Sequence, residues 1–121
     1  MTSLHFRSIA TYFEVSNGAD PARLAGCFTA DALVRDESHT HQGHSAIQAW
    51  MAGTRKAVEY RVEPVTVTQA GARVTVVAEV AGNFPGSPVM LEHRFLMSGN
   101  DIQSLEILCW RWIWHCKAGV Y

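Results

Sequence analysis

The segment from Asp36 to His44 sets three histidines, His39, His41 and His44, beside two carboxylates, Asp36 and Glu37. Imidazole with carboxylate suits zinc, copper or iron, and two histidines at i, i+2 face the same way on an extended chain. No matching ligand set stands elsewhere in the sequence, and a solvated polar loop accounts for three histidines. Neither a metal nor an organic cofactor is therefore expected. The three cysteines, Cys27, Cys109 and Cys116, are odd in number and lack close pair spacing, which reads as reduced thiols. Cys27 reads as a small buried hydrophobe, with nothing to mark it as a nucleophile. Asp36 has two structural readings of its own, as a turn residue that ends a strand or as an ion-pair partner of Arg35 or Arg61. Tyr12 lies among apolar residues, where a tyrosine serves as a core residue with its hydroxyl at a pocket rim.

The elements that must position these groups follow from periodicity. Phe6, Ile9, Ala10 and Phe13 share one face of a helix expected over 4–17, with Ser3 as its cap and Asn17-Gly18 as its stop. Asp20 at N-cap and Pro21 at the first helical position open a short second helix from which Leu24 and Phe28 point one way. Residues 32–36 read as a strand and 37–44 as a polar loop. Ser45 opens a third helix whose buried stripe is Ile47, Trp50 and Met51. Tyr60, Val62, Val65 and Val67 then lead to the turn Ala70-Gly71-Ala72, after which Val74, Val76, Ala78 and Val80 alternate. Residues 82–88 are loop-like, though Asn83-Phe84 can continue the strand. Val89, Leu91, His93, Phe95 and Met97 alternate in turn up to Ser98-Gly99-Asn100-Asp101, and Ile102 begins the last strand. Successive hairpins of period two form an antiparallel sheet. Helices first and a meander afterwards make an α+β domain, with about three N-terminal helices packed on one face of a curved, mainly antiparallel sheet.

Bulk properties exclude several classes. A chain of 121 residues, 48% hydrophobic and 17% charged, fits one globular domain with a real core. Net charge is −1 and the ten Lys and Arg are scattered singly, so no nucleic-acid surface is expected. No run approaches membrane-spanning length and the N-terminus lacks a targeting pattern, so a cytoplasmic protein is expected.

The order of motifs resembles a known group. Ala10-Thr-Tyr-Phe-Glu-Val, Asp20-Pro-Ala, Cys27-Phe-Thr-Ala-Asp-Ala-Leu-Val-Arg-Asp, Gly43 and Ile47-Gln-Ala-Trp resemble the front half of SnoaL-like proteins. Leu91-Glu-His-Arg-Phe and Ile102-Gln-Ser-Leu-Glu-Ile resemble their closing hairpin. The resemblance, over about residues 5–108, is to the SnoaL-like and ketosteroid-isomerase-like branch of the nuclear transport factor 2-like superfamily. It implies one domain over 1–121, a cone-shaped roll enclosing an apolar pocket, and a homodimer formed through the sheet face. In the isomerase branch a helix-1 tyrosine donates to the developing enolate oxygen, and an aspartate ending the first strand takes the proton. Those positions match Tyr12 and Asp36, and in the isomerases an aspartate base acts beside a phenol that donates while staying protonated. The isomerases carry a second donor, a protonated acid, where this chain has Leu91. Glu92 faces the other side of the sheet, whereas His93 shares the face of Leu91. Phe28, Trp50, Phe84, Leu91 and His93 are the expected pocket residues, since the inner end of a cone-shaped core is also the pocket wall.

The resemblance implies an isomerase or cyclase that abstracts a proton beside the carbonyl of a small apolar substrate, with Asp36 as base and Tyr12 as donor. A related branch closes polyketide rings by aldol addition. Two alternatives stay open. One is a non-catalytic ligand-binding or dimerisation module, favoured by Leu91 at the second-donor position. The other is an epoxide-hydrolase-like enzyme, which needs an Asp-Arg-Asp set for which Arg94 is the available arginine. Residues 109–121 fit the family poorly. There Trp110, Trp112 and Trp114 alternate with Arg111, Ile113 and His115, as a dimer contact, a lid or an atypical ending.

Overall fold

The computed structural model describes residues 6–36, 38–57 and 59–109. The expected Ser3 cap and the tryptophan-rich segment lie outside them. Helix α1 (Arg7–Ser16) forms where Ile9, Tyr12, Phe13 and Ser16 recur at helical spacing and are buried on one face. It starts later than the predicted span, with Phe6 at N-cap and no side-chain cap bond. Gly18, at φ +119°, supplies the expected stop. Asp20 caps the next segment as the sequence predicts, its carboxylate accepting from the Ala22 amide at 2.9 Å. Pro21–Gly26 nevertheless winds as a 3₁₀ helix, because six residues ending in glycine are too few to sustain α-helical bonding. Phe28, expected on this helix, begins strand β1 instead.

Strands β1 (Phe28–Asp36), β2 (His39–Gln42), β3 (Tyr60–Ala70), β4 (Arg73–Gly82), β5 (Val89–Ser98) and β6 (Asp101–Cys109), with helix α2 (His44–Ala57), complete an α+β domain. The six strands make one sheet in the order β2-β1-β6-β5-β4-β3. Every neighbouring pair is antiparallel except β1 and β6. Period two holds where it was read: Val74, Val76, Ala78 and Val80 of β4 are buried, as are Val89, Leu91, His93, Phe95 and Met97 of β5. The segment read as a polar loop is a correction. His39–Gln42 pairs antiparallel with β1 as an edge strand. It buries neither face, so no hydrophobic alternation announces it. Residues 83–88 form a loop, and Phe84 folds back from it into the core.

Strands β2 and β3 lie at opposite edges of the sheet, and α2 connects them in sequence. The helix must therefore cross the inner face, where it packs on β1, β2 and the 3₁₀ segment. Register shifts in the β1–β6, β3–β4 and β5–β6 pairs mark bulges that bend the sheet around these helices. Pro64 is tolerated at one of them because β3 is an edge strand.

The edge of β3 is closed by a side chain. Asn17, just past α1, donates Nδ2–H to the Val62 carbonyl at 2.8 Å and accepts the Val62 amide on Oδ1 at 2.7 Å. One amide thus substitutes for a strand partner and fixes α1 against β3. Asn17→Ala is expected to lower unfolding free energy by about 1–3 kcal/mol, the worth of two partly buried hydrogen bonds. Urea unfolding measures it, and a loss within experimental error would show the bridge to be inconsequential.

Candidate functional site

Asp36 is the last residue of β1, paired across the hairpin with His39 and beside Ile107 of β6. Its half-buried carboxylate is held from the helix layer: the Trp50 indole N–H of α2 donates to Asp36 Oδ2 at 3.0 Å. The His41 ring of β2 lies 5.8 Å from the Trp50 ring, tilted by 31°. His44 is engaged elsewhere, with Nε2 2.8 Å from the Phe28 carbonyl oxygen. The three histidines, two on β2 and one at the start of α2, therefore take separate local roles, and the described residues contain no group of three His, Cys, Asp or Glu side chains able to share an ion.

Tyr12 projects from α1 into the core and is 2% exposed. Its ring meets Phe13, Phe28, His93 and Phe95 edge-on, with centroids 5.1 to 6.4 Å away. Burial pushes the Tyr12 phenol well above its ordinary pKa. The neighbouring Tyr60 and the Asp36 charge add to the rise, and a hydrogen bond with Ser16 opposes it. Tyr60, at the start of β3, is raised first by burial and further by Asp36, against Thr54 and Arg55. Both phenols stay protonated near neutrality and keep their capacity to donate.

Tyr12 and Tyr60 line a cavity of about 10 Å³, close to the volume one water needs; Asp36 is not among its lining residues and reaches it through its bond to Trp50. Tyr12, Ser16, Thr54, Tyr60 and His93 form its polar wall; Met51, Val62, Val80 and Leu91 form its apolar wall, with Trp50 beside them. Of the residues read from sequence, the structure brings Tyr12, Trp50, Leu91 and His93 to this cavity. Phe28 and Phe84 are buried in the core but do not line it. A wider groove of about 670 Å³ near the start of α1 collects Arg7, Arg23 and Asp101 at the open surface, away from these groups. Arg94 pairs with Glu92 on the outer face of the sheet, so it does not join Asp36 in an Asp-Arg-Asp set. Sequence reading missed Tyr60, Thr54 and Ser16. Tyr12 and Ser16 at i, i+4 make a polar stripe within a buried helix face, and that signal was available.

Residues 9–103 match the family model described as a SnoaL-like domain, well over half the chain. The chain belongs to the SnoaL-like family. A candidate polyketide cyclase from Sinorhizobium meliloti is 39% identical to this SnoaL-like domain, with TM-score 0.79 over 84% of this chain and 93% of that one. A Catenulispora acidiphila protein of ketosteroid-isomerase-like fold, solved with trimethylamine, is 25% identical with TM-score 0.76 over 84% of each chain. TerC, co-crystallised with polyporic acid, shares the fold at TM-score 0.75 and 15% identity, over 84% of this chain and 88% of that one. No curated protein matches the sequence.

His93 is the anomaly of the domain. It is 3% exposed, and its Nδ1 has no hydrogen-bond partner among the described residues. Burial lowers its pKa to about 4, against a smaller opposing effect from the Leu91 and Val76 backbone. The ring is thus neutral at pH 7, stacked on Phe95 at 14°. Between this depressed value and the unfolded value of about 6.5, the unfolded chain binds more protons, so folding stability falls as pH drops through that window. The loss from His93 amounts to about 3 kcal/mol by the time pH reaches roughly 4. His93→Phe is expected to flatten the pH dependence of urea unfolding there. Equal slopes for variant and wild type would refute a buried neutral imidazole.

Proposed function

We propose that this SnoaL-like domain is an isomerase- or cyclase-type enzyme that removes a proton beside the carbonyl of a small apolar compound. Asp36 is the base and Tyr12 the donor to the oxygen on which charge develops. The observation that carries the reading is the Asp36 carboxylate, fixed by the Trp50 indole next to a small cavity walled by a buried phenol. Asp36 accepts the α-proton and its carboxylate becomes neutral, while the electron pair moves into the carbonyl and forms an enolate. Tyr12 stabilises that oxygen without ionising, since burial keeps the phenol protonated. Where a carbon–carbon double bond is conjugated with the enolate, Asp36 returns the proton to its far carbon, which is isomerisation; where a second carbonyl lies within reach, the enolate carbon adds to it and the resulting alkoxide takes the proton from Asp36, which is cyclisation. The Sinorhizobium meliloti relative, a candidate polyketide cyclase, supports the second outcome. A substrate needs more room than the cavity volume of about 10 Å³ offers, so binding requires its walls to move apart.

Leu91, which lines the cavity where a second acid would stand, favours one other reading: a non-catalytic ligand-binding or dimerisation module. We further propose that the domain acts in the cytoplasm as a homodimer through the outer sheet face. There exposed Leu33 and half-buried Val77, Met90, Leu96 and Leu108 surround the Glu92–Arg94 pair.

Deuterium uptake at the α-carbon of a panel of apolar ketones, followed by NMR, tests the reading without knowledge of the product. Asp36→Asn is expected to slow uptake by about 10²–10⁴-fold with melting unchanged. Undiminished exchange in the variant removes Asp36 from the role. Ligands bound by wild type with no exchange at all would establish the binding module instead.

A further inference from the structure

We infer that Tyr60 is a second hydrogen-bond donor of this site, filling with a phenol the role that Leu91 leaves without one. The inference rests on the proton-abstraction reading above and deepens it. Tyr60 lines the same cavity as Tyr12 and is 6% exposed. Its hydroxyl oxygen lies 3.0 Å from Thr54 Oγ1. Thr54 uses its single hydroxyl hydrogen on the Met51 carbonyl at 2.9 Å, so within the Thr54–Tyr60 pair the phenol donates. A neutral hydroxyl is a weak acceptor, and an oxyanion entering the cavity outcompetes it, because bonds to an ionised acceptor are shorter and about twice as strong. Thr54 thus holds the Tyr60 proton at the wall until a more basic oxygen arrives.

The surroundings of Tyr60 point the same way. The Arg55 guanidinium carbon sits 4.8 Å from the Tyr60 ring centroid, and a cation there stabilises negative charge developing on the phenol, which strengthens its O–H as a donor. One Arg55 nitrogen also bonds the Tyr60 carbonyl, at 2.9 Å, and the Ser16 carbonyl at the end of α1. A single side chain therefore sets the strand bearing Tyr60 against the helix bearing Tyr12. Gly82, the cross-strand partner of Tyr60, lets β4 lie close against the start of β3: a Cβ there would stand 2.1 Å from the Glu59 carbonyl oxygen and 2.6 Å from Tyr60 Cα.

The probe is 4-nitrophenol at a pH where it is ionised, a flat apolar oxyanion, titrated into Asp36→Asn, whose neutral side chain mimics the carboxyl after proton transfer, and into further variants made in that background, with proton NMR of the far-downfield region. Asp36→Asn is expected to gain two downfield resonances. Adding Tyr60→Phe loses one of them and weakens binding roughly tenfold or more, and adding Tyr12→Phe loses the other. Adding Thr54→Val removes the competing acceptor and tightens binding severalfold. Unchanged affinity and two retained resonances on adding Tyr60→Phe overturn the inference while leaving Tyr12 in place. An Asp36→Asn protein that does not bind the probe, or binds it with no downfield resonance, overturns this inference and the parent reading together. If Tyr60→Phe does not fold, Thr54→Val decides: tightening supports the donor, and unchanged affinity overturns it.

Discussion

The Trp50 indole bond to Asp36 joins the two layers of the domain at the place where its chemistry is concentrated. Strand β1 ends at Asp36, and α2 has to cross the inner face of the sheet because the strands it connects occupy opposite edges. A carboxylate at a strand end and an indole on the second turn of a crossing helix meet only if sheet curvature and helix position agree. The bulges supply the curvature, while Ile47 and Met51 bury the face of α2 that turns Trp50 toward β1. The same crossing brings Thr54 and Arg55, one turn further on, against Tyr60 and the end of α1. The arrangement of the polar groups thus follows from where one helix lies.

Those groups are dear to keep. A buried phenol, a buried imidazole with a nitrogen unpartnered among the described residues and a half-buried carboxylate all oppose folding, since each gives up hydration. The surrounding core offsets this with a continuous apolar set, including the fully buried Ile9, Val34, Ile47, Val76 and Leu105. Side-chain to backbone bonds from Asn17 and Arg55 then hold the helix ends in register with β3. Where such a fold spends stability on polar groups around one small cavity, function is the economical explanation.

Much of this was legible in the sequence, for identifiable reasons. Strands β4 and β5 face the core on one side only, so period two had to appear in Val74 to Val80 and in Val89 to Met97. Asp20-Pro21 carries its capping chemistry in two residues, and the Asp36 and Tyr12 positions came through the family resemblance. Strand β2 was invisible because an edge strand exposed on both faces has no reason to alternate. The 3₁₀ turn differs from a short α-helix by a bonding pattern that residue types hardly encode. Tyr60 read as one more apolar strand residue. Its hydroxyl matters only because Thr54 and Arg55 arrive from α2, and no local pattern contains that meeting.

The charge inventory of the cavity argues for the kind of ligand it takes. The phenols of Tyr12 and Tyr60 are protonated and the His93 imidazole is neutral, while Asp36 contributes the negative charge beside them. A ligand that arrived as a carboxylate would meet Asp36 as like charge, and a permanent cation would find aromatic edges and hydroxyl hydrogens opposing it. A neutral carbonyl compound meets neither obstacle. In the proposed reaction, Asp36 takes the proton, its carboxyl becomes neutral and the negative charge passes to the ligand oxygen beside the phenols. That reaction would leave the site with one negative charge before and after the transfer. The charge would move from a carboxylate bonded to the Trp50 indole N–H to an oxygen facing hydroxyl donors. A low-dielectric enclosure penalises a change of net charge far more than such a displacement, and proton abstraction beside a carbonyl is a reaction that asks for displacement only.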